Sequence, residues 1–233
     1  MSKPTAVLQA DLEVPETLAI IMDGNRRYAT SLGLPKEKGH TLGYKKLTEV
    51  ASWTRGLGIK NLVVYAFSTE NWQRSEKEVT ALLGLLQKAL LSKTLKRRDT
   101  RLKIIGDIKT FSKPFQKSIT LAEKETKNNG PFTLVVALSY GGQSEIVEAV
   151  NNLLEKKVQR VTKDEFQKEM WAGEFIPDMC LRTGGEKRLS NFLLWQLAYS
   201  ELFFTDTAWP ALTEEEFARL IVEYGRRKRN FGK

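Results

Sequence analysis

The feature that most constrains this chain is a rhythm. Short apolar runs of strand length alternate with longer segments whose apolar residues recur at helical spacing. Leu18 to Met22 is the first run and closes in the turn-and-cap cluster Asp23-Gly24-Asn25. Residues 39–57 then read as a helix. Asn61 to Phe67 is a second run, rich in β-branched and aromatic residues. Ser75 and Glu78 have the spacing of a capping box, and Val79, Leu82, Leu83, Leu86 and Leu90 follow on one helical face. Leu102 to Ile105, Phe132 to Leu138, Met179 to Leu181 and Leu202 to Thr205 are four further strands. Helices are expected over about 111–128, from Gly141-Gly142 to Lys157, over Phe192 to Leu197, and from Glu214 to Arg229. This order predicts an α/β fold of about six mostly parallel strands flanked by helices. It also predicts one domain over 1–233, with residues 1–15 as a flexible extension.

Composition narrows the function classes. A single cysteine, Cys180, excludes an intramolecular disulfide and a Cys-based zinc cluster, and a single histidine, His40, excludes a multi-His metal site. The formal net charge of +9 favours an anionic partner: nucleic acid, acidic lipid or a phosphorylated small molecule. The start of the chain lacks the apolar core of a signal peptide, and no uncharged stretch approaches the roughly 18 residues of a membrane span. A cytoplasmic protein, or one peripheral at a membrane surface, is expected. Most of the Trp and Phe residues sit inside apolar runs rather than among Lys and Arg, which favours core over stacking on nucleic acid.

In a parallel sheet ligands bind at the carboxyl ends of the strands. Polar clusters stand at those ends: Asp23-Gly-Asn-Arg-Arg, Ser68-Thr-Glu-Asn-Trp, Ser139-Tyr-Gly-Gly and Arg182-Thr-Gly-Gly-Glu. In the first, Gly24 permits close backbone approach and two arginines offer bidentate donors to phosphate oxygens. A carboxylate beside such a site suggests a divalent cation, since Mg²⁺ uses one or two carboxylates plus substrate phosphates. An N-capping Asp beside two surface arginines is the plainer alternative. The run from Arg182 to Asn191 reads as a second anion cradle or as a solvated Gly-rich turn. Two cradles and one carboxylate suggest two phosphorylated ligands sharing a metal. His40, Glu70, Asn71, Trp72 and Glu201 would each, alone, read as structural. The leucine stripe of 79–95 reads as core, although Leu85 and Leu91 off its main face would also suit a greasy channel.

Taken in order, the segments IIMDGNRRYA (20–29), GH (39–40), YAFSTENWQRSEKEV (65–79), IIGD (104–107), SYGG (139–142), RTGGEKRLSNFLLWQ (182–196) and YSELFFTDTAWP (199–210) resemble the cis-prenyltransferases, the undecaprenyl diphosphate synthase-like family. The similarity runs from about Leu18 to Gly232. It implies a hydrophobic tunnel, usually a homodimer, and Mg²⁺-dependent condensation of isopentenyl diphosphate onto an allylic diphosphate, with farnesyl diphosphate as the expected starter. The products would be short- or medium-chain polyprenyl diphosphates with Z double bonds.

By this resemblance Asp23 holds Mg²⁺, with Glu201 as a second residue tied to the metal. Gly24, Asn25, Arg26 and Arg27 cradle the allylic diphosphate, and Arg182, Arg188 and Ser190 hold isopentenyl diphosphate. His40, Ser68, Glu70, Asn71 and Trp72 shape the site and its mobile loop. Tyr28, Lys36 and Arg74 join the substrate contacts. Asp23, Asn25, Arg27 and Ser68 form the expected catalytic set. Departures from the family pattern are Lys36 for a common Arg, Ser139 for a common Asn, and Lys187 where some members carry His. Asn230-Phe231-Gly232 stands for an Arg-x-Gly that reaches a partner subunit, and Phe132 is a bulky residue near the tunnel floor. Rival readings are a non-catalytic, lipid-binding partner subunit and a nucleic-acid-binding protein suggested by Arg226-Arg227-Lys228-Arg229. The presence of Asp23, Arg182 and Arg188 favours catalysis, and nucleic acid is not expected as a partner.

Overall fold

The computed structural model describes residues 12–92 and 97–227. Six strands form one sheet in the order β3-β4-β2-β1-β5-β6, and every neighbouring pair is parallel. The strands are β1 Thr17–Ile21, β2 Asn61–Ser68, β3 Thr100–Ile105, β4 Phe132–Tyr140, β5 Met179–Arg182 and β6 Glu201–Phe204. Seven α-helices are described: α1 Asn25–Ser31, α2 Lys36–Gly56, α3 Glu76–Leu91, α4 Lys113–Thr126, α5 Gly142–Glu155, α6 Lys163–Glu169 and α7 Glu214–Arg226. None of the described helices is long and apolar enough to cross a membrane.

The period-two alternation of the strands sorts the core into two layers. Leu18, Ile20, Leu62, Val64, Leu134 and Val136 face a layer that includes Leu47, Val50, Leu82, Ile119, Phe217 and Ile221 from α2, α3, α4 and α7. Ala19, Ile21, Val63, Val135 and Ala137 face the opposite layer, built with Ala172, Phe175, Phe192, Leu193 and Leu197. β1 lies between β2 and β5 in register, so Ile21 is level with Tyr65 on one side and Arg182 on the other. The chain leaves β1 toward β2 and leaves β5 toward β6, in opposite directions. The β1–β5 border is therefore the switch point of the sheet.

Three expectations change. Phe192–Leu197 is a series of turns rather than a helix, because Ser190, Asn191 and Leu193 hold left-handed backbone (φ 49°, 64° and 44°). The capping box at Ser75 is half made. Ser75 accepts from the Glu78 N–H, but the Glu78 carboxylate turns away to Arg74. Leu12 and Val14 pack against the core and Pro15 is buried, so residues 12–15 belong to the body of the fold rather than to an extension. Residues 1–11, and the expected Asn230-Phe231-Gly232 match with Lys228 and Arg229, lie outside the described residues.

Candidate active site

A cavity of about 1180 Å³ opens at the carboxyl ends of β1 and β2. Its upper wall carries Asp23, Gly24, Asn25, Arg26, Arg27, Lys36, His40, Ser68, Glu70, Asn71, Arg74 and Ser190. Its depth is apolar: Leu47 from α2 and Leu82, Leu85, Leu86 and Ala89 from α3. The stripe on α3 is thus both core and channel wall. Leu82 and Ala89 are shared, Leu85 and Leu86 turn to the cavity, Leu90 is buried and Leu91 faces out.

Asp23 sits at the switch point. Its Oδ1 accepts the Gly24 N–H (2.6 Å) and its Oδ2 accepts from Arg182 Nη2 (2.7 Å). The Thr183 hydroxyl clasps the Asp23 backbone, accepting from its N–H (3.0 Å) and donating to its carbonyl (2.9 Å). Gly24 has φ +94°, and a Cβ there would lie 2.8 Å from the Ala208 Cβ, so glycine is required twice over. Arg27 is anchored by donating to the Gly184 carbonyl. α1 crosses α2 over Gly39 and Gly43, where Cβ atoms would come within 2.2 Å of the Asn25 carbonyl oxygen and 2.1 Å of its Oδ1. Asn25 Nδ2 donates to the Met22 carbonyl, while its Oδ1 is buried without a hydrogen-bond partner.

The second basic segment is arranged differently from a simple cradle. The Arg182 side chain is only 4 % exposed and is not part of the cavity wall. Its guanidinium holds Asp23, the Ser190 Oγ (2.7 Å) and the Arg188 carbonyl. It holds the carboxylate and the serine in place, and its Nε is buried without a hydrogen-bond partner. The N–H groups of Gly184 and Gly185 donate to the carbonyls of Thr207 and Thr205, so the glycine pair is not an anion nest. Arg188 points into solvent toward Glu186.

Glu201 is not brought to Asp23. It opens β6 at the amino edge of the sheet, three residues before the carboxyl end, a rise of about 10 Å. There it pairs with Arg227 (2.8 Å). Within one chain, the expected pairing of these two carboxylates around a metal is not formed. Tyr28 and Trp72 also lie outside the cavity wall, and Phe132 is buried in the core at the amino end of β4, its ring 5.6 Å from the Arg55 guanidinium.

Glu78 is the site residue the sequence hid. Its Oε1 lies 2.8 Å from Arg74, 3.6 Å from Arg26 and 3.7 Å from His40 Nε2, tying α1, α2 and the segment before α3 to α3. Burial first, then the nearby Arg74 and Arg26 charges, hold the His40 pKa below its ordinary value of 6.5, against the opposing pull of Glu78. Burial pushes Glu70 up, but hydrogen bonds from its own backbone, Asn191, Ser68 and Thr69 outweigh it and leave the carboxyl below the usual range. Ser68 and Asn71 cap each other at the short 3-10 turn Thr69–Gln73. Asn191 bridges this turn to α5, donating to Glu70 Oε1 (3.1 Å) and accepting from the Gln143 N–H (2.9 Å). Trp209 completes the wall and donates its indole N–H to the Gly43 carbonyl (2.9 Å).

A charged rim over a leucine-lined depth suits a ligand with an anionic head and an apolar tail, and comparison with known proteins agrees. Residues 21–232 match the family model described as putative undecaprenyl diphosphate synthase. An isoprenyl transferase of Fusobacterium nucleatum is 42 % identical over 94 % of this chain and 96 % of its own length. A ditrans,polycis-undecaprenyl-diphosphate synthase of Pasteurella multocida, (2E,6E)-farnesyl-diphosphate specific, is 42 % identical over 94 % of this chain and 95 % of its own. Among solved structures, lavandulyl diphosphate synthase from Lavandula x intermedia in complex with dimethylallyl diphosphate superposes with a TM-score of 0.89 at 32 % identity, covering 94 % of this chain and 99 % of that one. With the match spanning sheet, rim and cavity alike, the chain belongs to the undecaprenyl diphosphate synthase family and is a cis-prenyltransferase.

Proposed function

We propose that this enzyme condenses isopentenyl diphosphate onto an allylic diphosphate, with farnesyl diphosphate as starter, to make a short- or medium-chain polyprenyl diphosphate with Z double bonds. The observation that carries this reading is one cavity with Arg26, Arg27, Lys36 and Arg74 at its mouth and Leu47, Leu82, Leu85, Leu86 and Ala89 at its depth. In the reaction the allylic C–O bond breaks and diphosphate leaves with the electron pair. The terminal alkene carbon of isopentenyl diphosphate bonds to the allylic carbon, positive charge passes to the methyl-bearing carbon, and a proton departs from the CH₂ next to it on the diphosphate side. Arg26, Arg27 and Lys36 are placed to stabilise the leaving diphosphate, whose charge grows as the bond breaks. Ser190, held by Arg182, and the solvent-facing Arg188 serve isopentenyl diphosphate. Each added unit moves more CH₂ out of water, at roughly 0.8 kcal/mol per group, which favours elongation into the depth.

Asp23 fits a magnesium ion. Each carboxylate oxygen takes one hydrogen bond, leaving lone pairs toward the cavity, and one carboxylate plus substrate phosphates is a common Mg²⁺ set. Among the described residues no group of three His, Cys, Asp or Glu could complete a shell, so diphosphate oxygens and water would supply the rest. When bound, the ion would neutralise diphosphate charge.

The direct test is incubation with labelled isopentenyl diphosphate, farnesyl diphosphate and Mg²⁺, followed by sizing of the products. Metal-dependent Z-polyprenyl products are expected, and absence of condensation, or full activity with a chelator, would overturn the reading. We also infer a homodimer, supported by the exposed Leu202 in edge strand β6 and the exposed Tyr199 just before it. Light scattering that gives one 26.5 kDa chain would reject it. Cytoplasmic location with peripheral membrane contact suits a product with an apolar polyprenyl tail, and a wild-type protein that does not sediment with anionic vesicles would remove the membrane contact.

A further inference from the structure

The 3-10 turn Thr69–Gln73, with Ser68 before it and Arg74 after it, delivers Ser68, Glu70, Asn71 and Arg74 to the cavity, yet Trp72 in its middle points elsewhere. The indole packs inward against Phe67 (centroids 4.9 Å apart, 71° between planes) and Phe111 (5.4 Å, 51°), and Phe111 stacks in turn on Phe115. Its N–H, a donor with no acceptor capacity, bonds to the Ser139 Oγ at 2.9 Å. Ser139 is 1 % exposed and does not line the cavity. Its backbone is left-handed (φ 47°), which directs its side chain off the regular course of β4, and its carbonyl accepts the Asp107 N–H. The Thr110 hydroxyl bridges the Ser139 Oγ (3.0 Å) and the Asp107 carbonyl (2.7 Å). One serine therefore joins the end of β4, the Asp107–Thr110 segment and the rim turn.

We infer that Ser139 is a positioning residue for the prenyl-transfer reaction: through the indole of Trp72 it sets the rim turn that presents Ser68, Glu70, Asn71 and Arg74 to the diphosphates. The inference rests on the reading of this cavity as the prenyl-transfer site. Ser139 is an unforced choice for strain, since a left-handed residue is more often Gly or Asn. Its hydroxyl is what the arrangement uses. Removing it leaves the indole N–H without its acceptor and frees the turn to move by the fraction of an ångström that matters for reacting groups.

The test is a double-mutant cycle read in steady-state kinetics, with melting temperatures measured on every variant. Ser139→Ala and Trp72→Phe are each expected to lower kcat/KM about tenfold, with both folded at the assay temperature. Because Ser139 acts through the indole, Ser139→Ala in the Trp72→Phe background adds no further loss. Ser139→Asn, which tolerates the left-handed backbone and offers an amide oxygen to the indole, restores kcat/KM to within about threefold of wild type. Wild-type kinetics for Ser139→Ala, additive losses in the double variant, or no rescue by Asn would each overturn the proposal. If Ser139→Ala does not fold, Thr110→Val replaces it: a loss of a few fold in the wild-type background and none with Trp72→Phe supports the proposal, and equal losses in both overturn it. A wild-type enzyme that makes no prenyl product would instead overturn the function, whereas an active wild type indifferent to Ser139 overturns only this inference.

Discussion

Asp23 carries two duties that one substitution can separate. Its carboxylate is a scaffold group for Arg182 and Gly24, and it is also the negative charge facing the cavity. Asp23→Ala is expected to cost at least about a hundredfold in turnover, about 2.7 kcal/mol, but also to strand the buried Arg182 guanidinium. Asp23→Asn keeps an acceptor for Arg182 and removes the charge. An equal loss in Asp23→Asn, measured with saturating Mg²⁺ and both diphosphates, assigns the effect to charge, and near-normal turnover would take the metal away from this residue. His40 gives a pH signature. Its folded pKa lies below 6.5, so the unfolded chain binds the proton first. The stability it contributes is full above about pH 6.5 and is lost as pH falls toward and through the folded value. Thermal melts at about pH 7.5 and about pH 5.5 are expected to differ more for wild type than for His40→Gln, and an equal drop in both would dismiss the effect.

The α1–α2 crossing is the element that aims the first basic cluster. Gly39 and Gly43 form a groove one turn apart on α2, and the Asn25 main chain and amide lie in it. A Cβ on Gly43 would stand 2.1 Å from Asn25 Oδ1 and 3.2 Å from the Trp209 ring, so the Asn25 amide must shift to admit it. Gly43→Ala should therefore destabilise by about 1–3 kcal/mol, at about 2–4 °C of melting temperature per kcal/mol, and should lower turnover by moving Asn25 and Arg27. Gly84→Ala on α3 is the control of opposite sign. No atom lies within 4 Å of its Cβ position, so helix propensity alone acts and the melting temperature should rise. A stable Gly43→Ala enzyme with normal turnover would show that the crossing is looser than the packing implies.

At the scale of the whole molecule the question is where elongation stops. The apolar part of the cavity wall includes Leu86 and Ala89, and Phe132 lies buried in the core outside that wall. Phe132→Ala removes a ring from the same apolar layer, and products longer by at least one five-carbon unit are expected on reversed-phase separation. Unchanged product lengths would assign the stop to the α3 wall instead. Ala89→Phe should act in the opposite direction and shorten the product, because a ring on α3 would project into the cavity itself.

Periodicity is a local property, and so the strands, most of the helices and the polar rim were readable from residue order. Leu18 to Ile21 and Leu62 to Val64 are unbroken apolar runs because each strand is covered on both faces, and Asp23, Ser68 and Ser190 stand on one rim because they follow strand ends or the turns packed beside them. Which way a polar side chain turns is decided by partners far away in the chain. Arg182 meets Asp23 across 159 positions and is buried in doing so, its guanidinium holding that carboxylate and the Ser190 hydroxyl. Glu78 was legible only as the third residue of a capping box, until the fold brought Arg26 and His40 to it. Trp72 turns inward to Ser139, and Glu201 stays at the opposite edge of the sheet with Arg227. The chain alone settles the repeating secondary structure and the chemical character of the site, because spacing and residue type suffice for both. Strand order and packing settle which charges face the substrate and which hold others in place, because only in three dimensions do competing partners come within bonding distance.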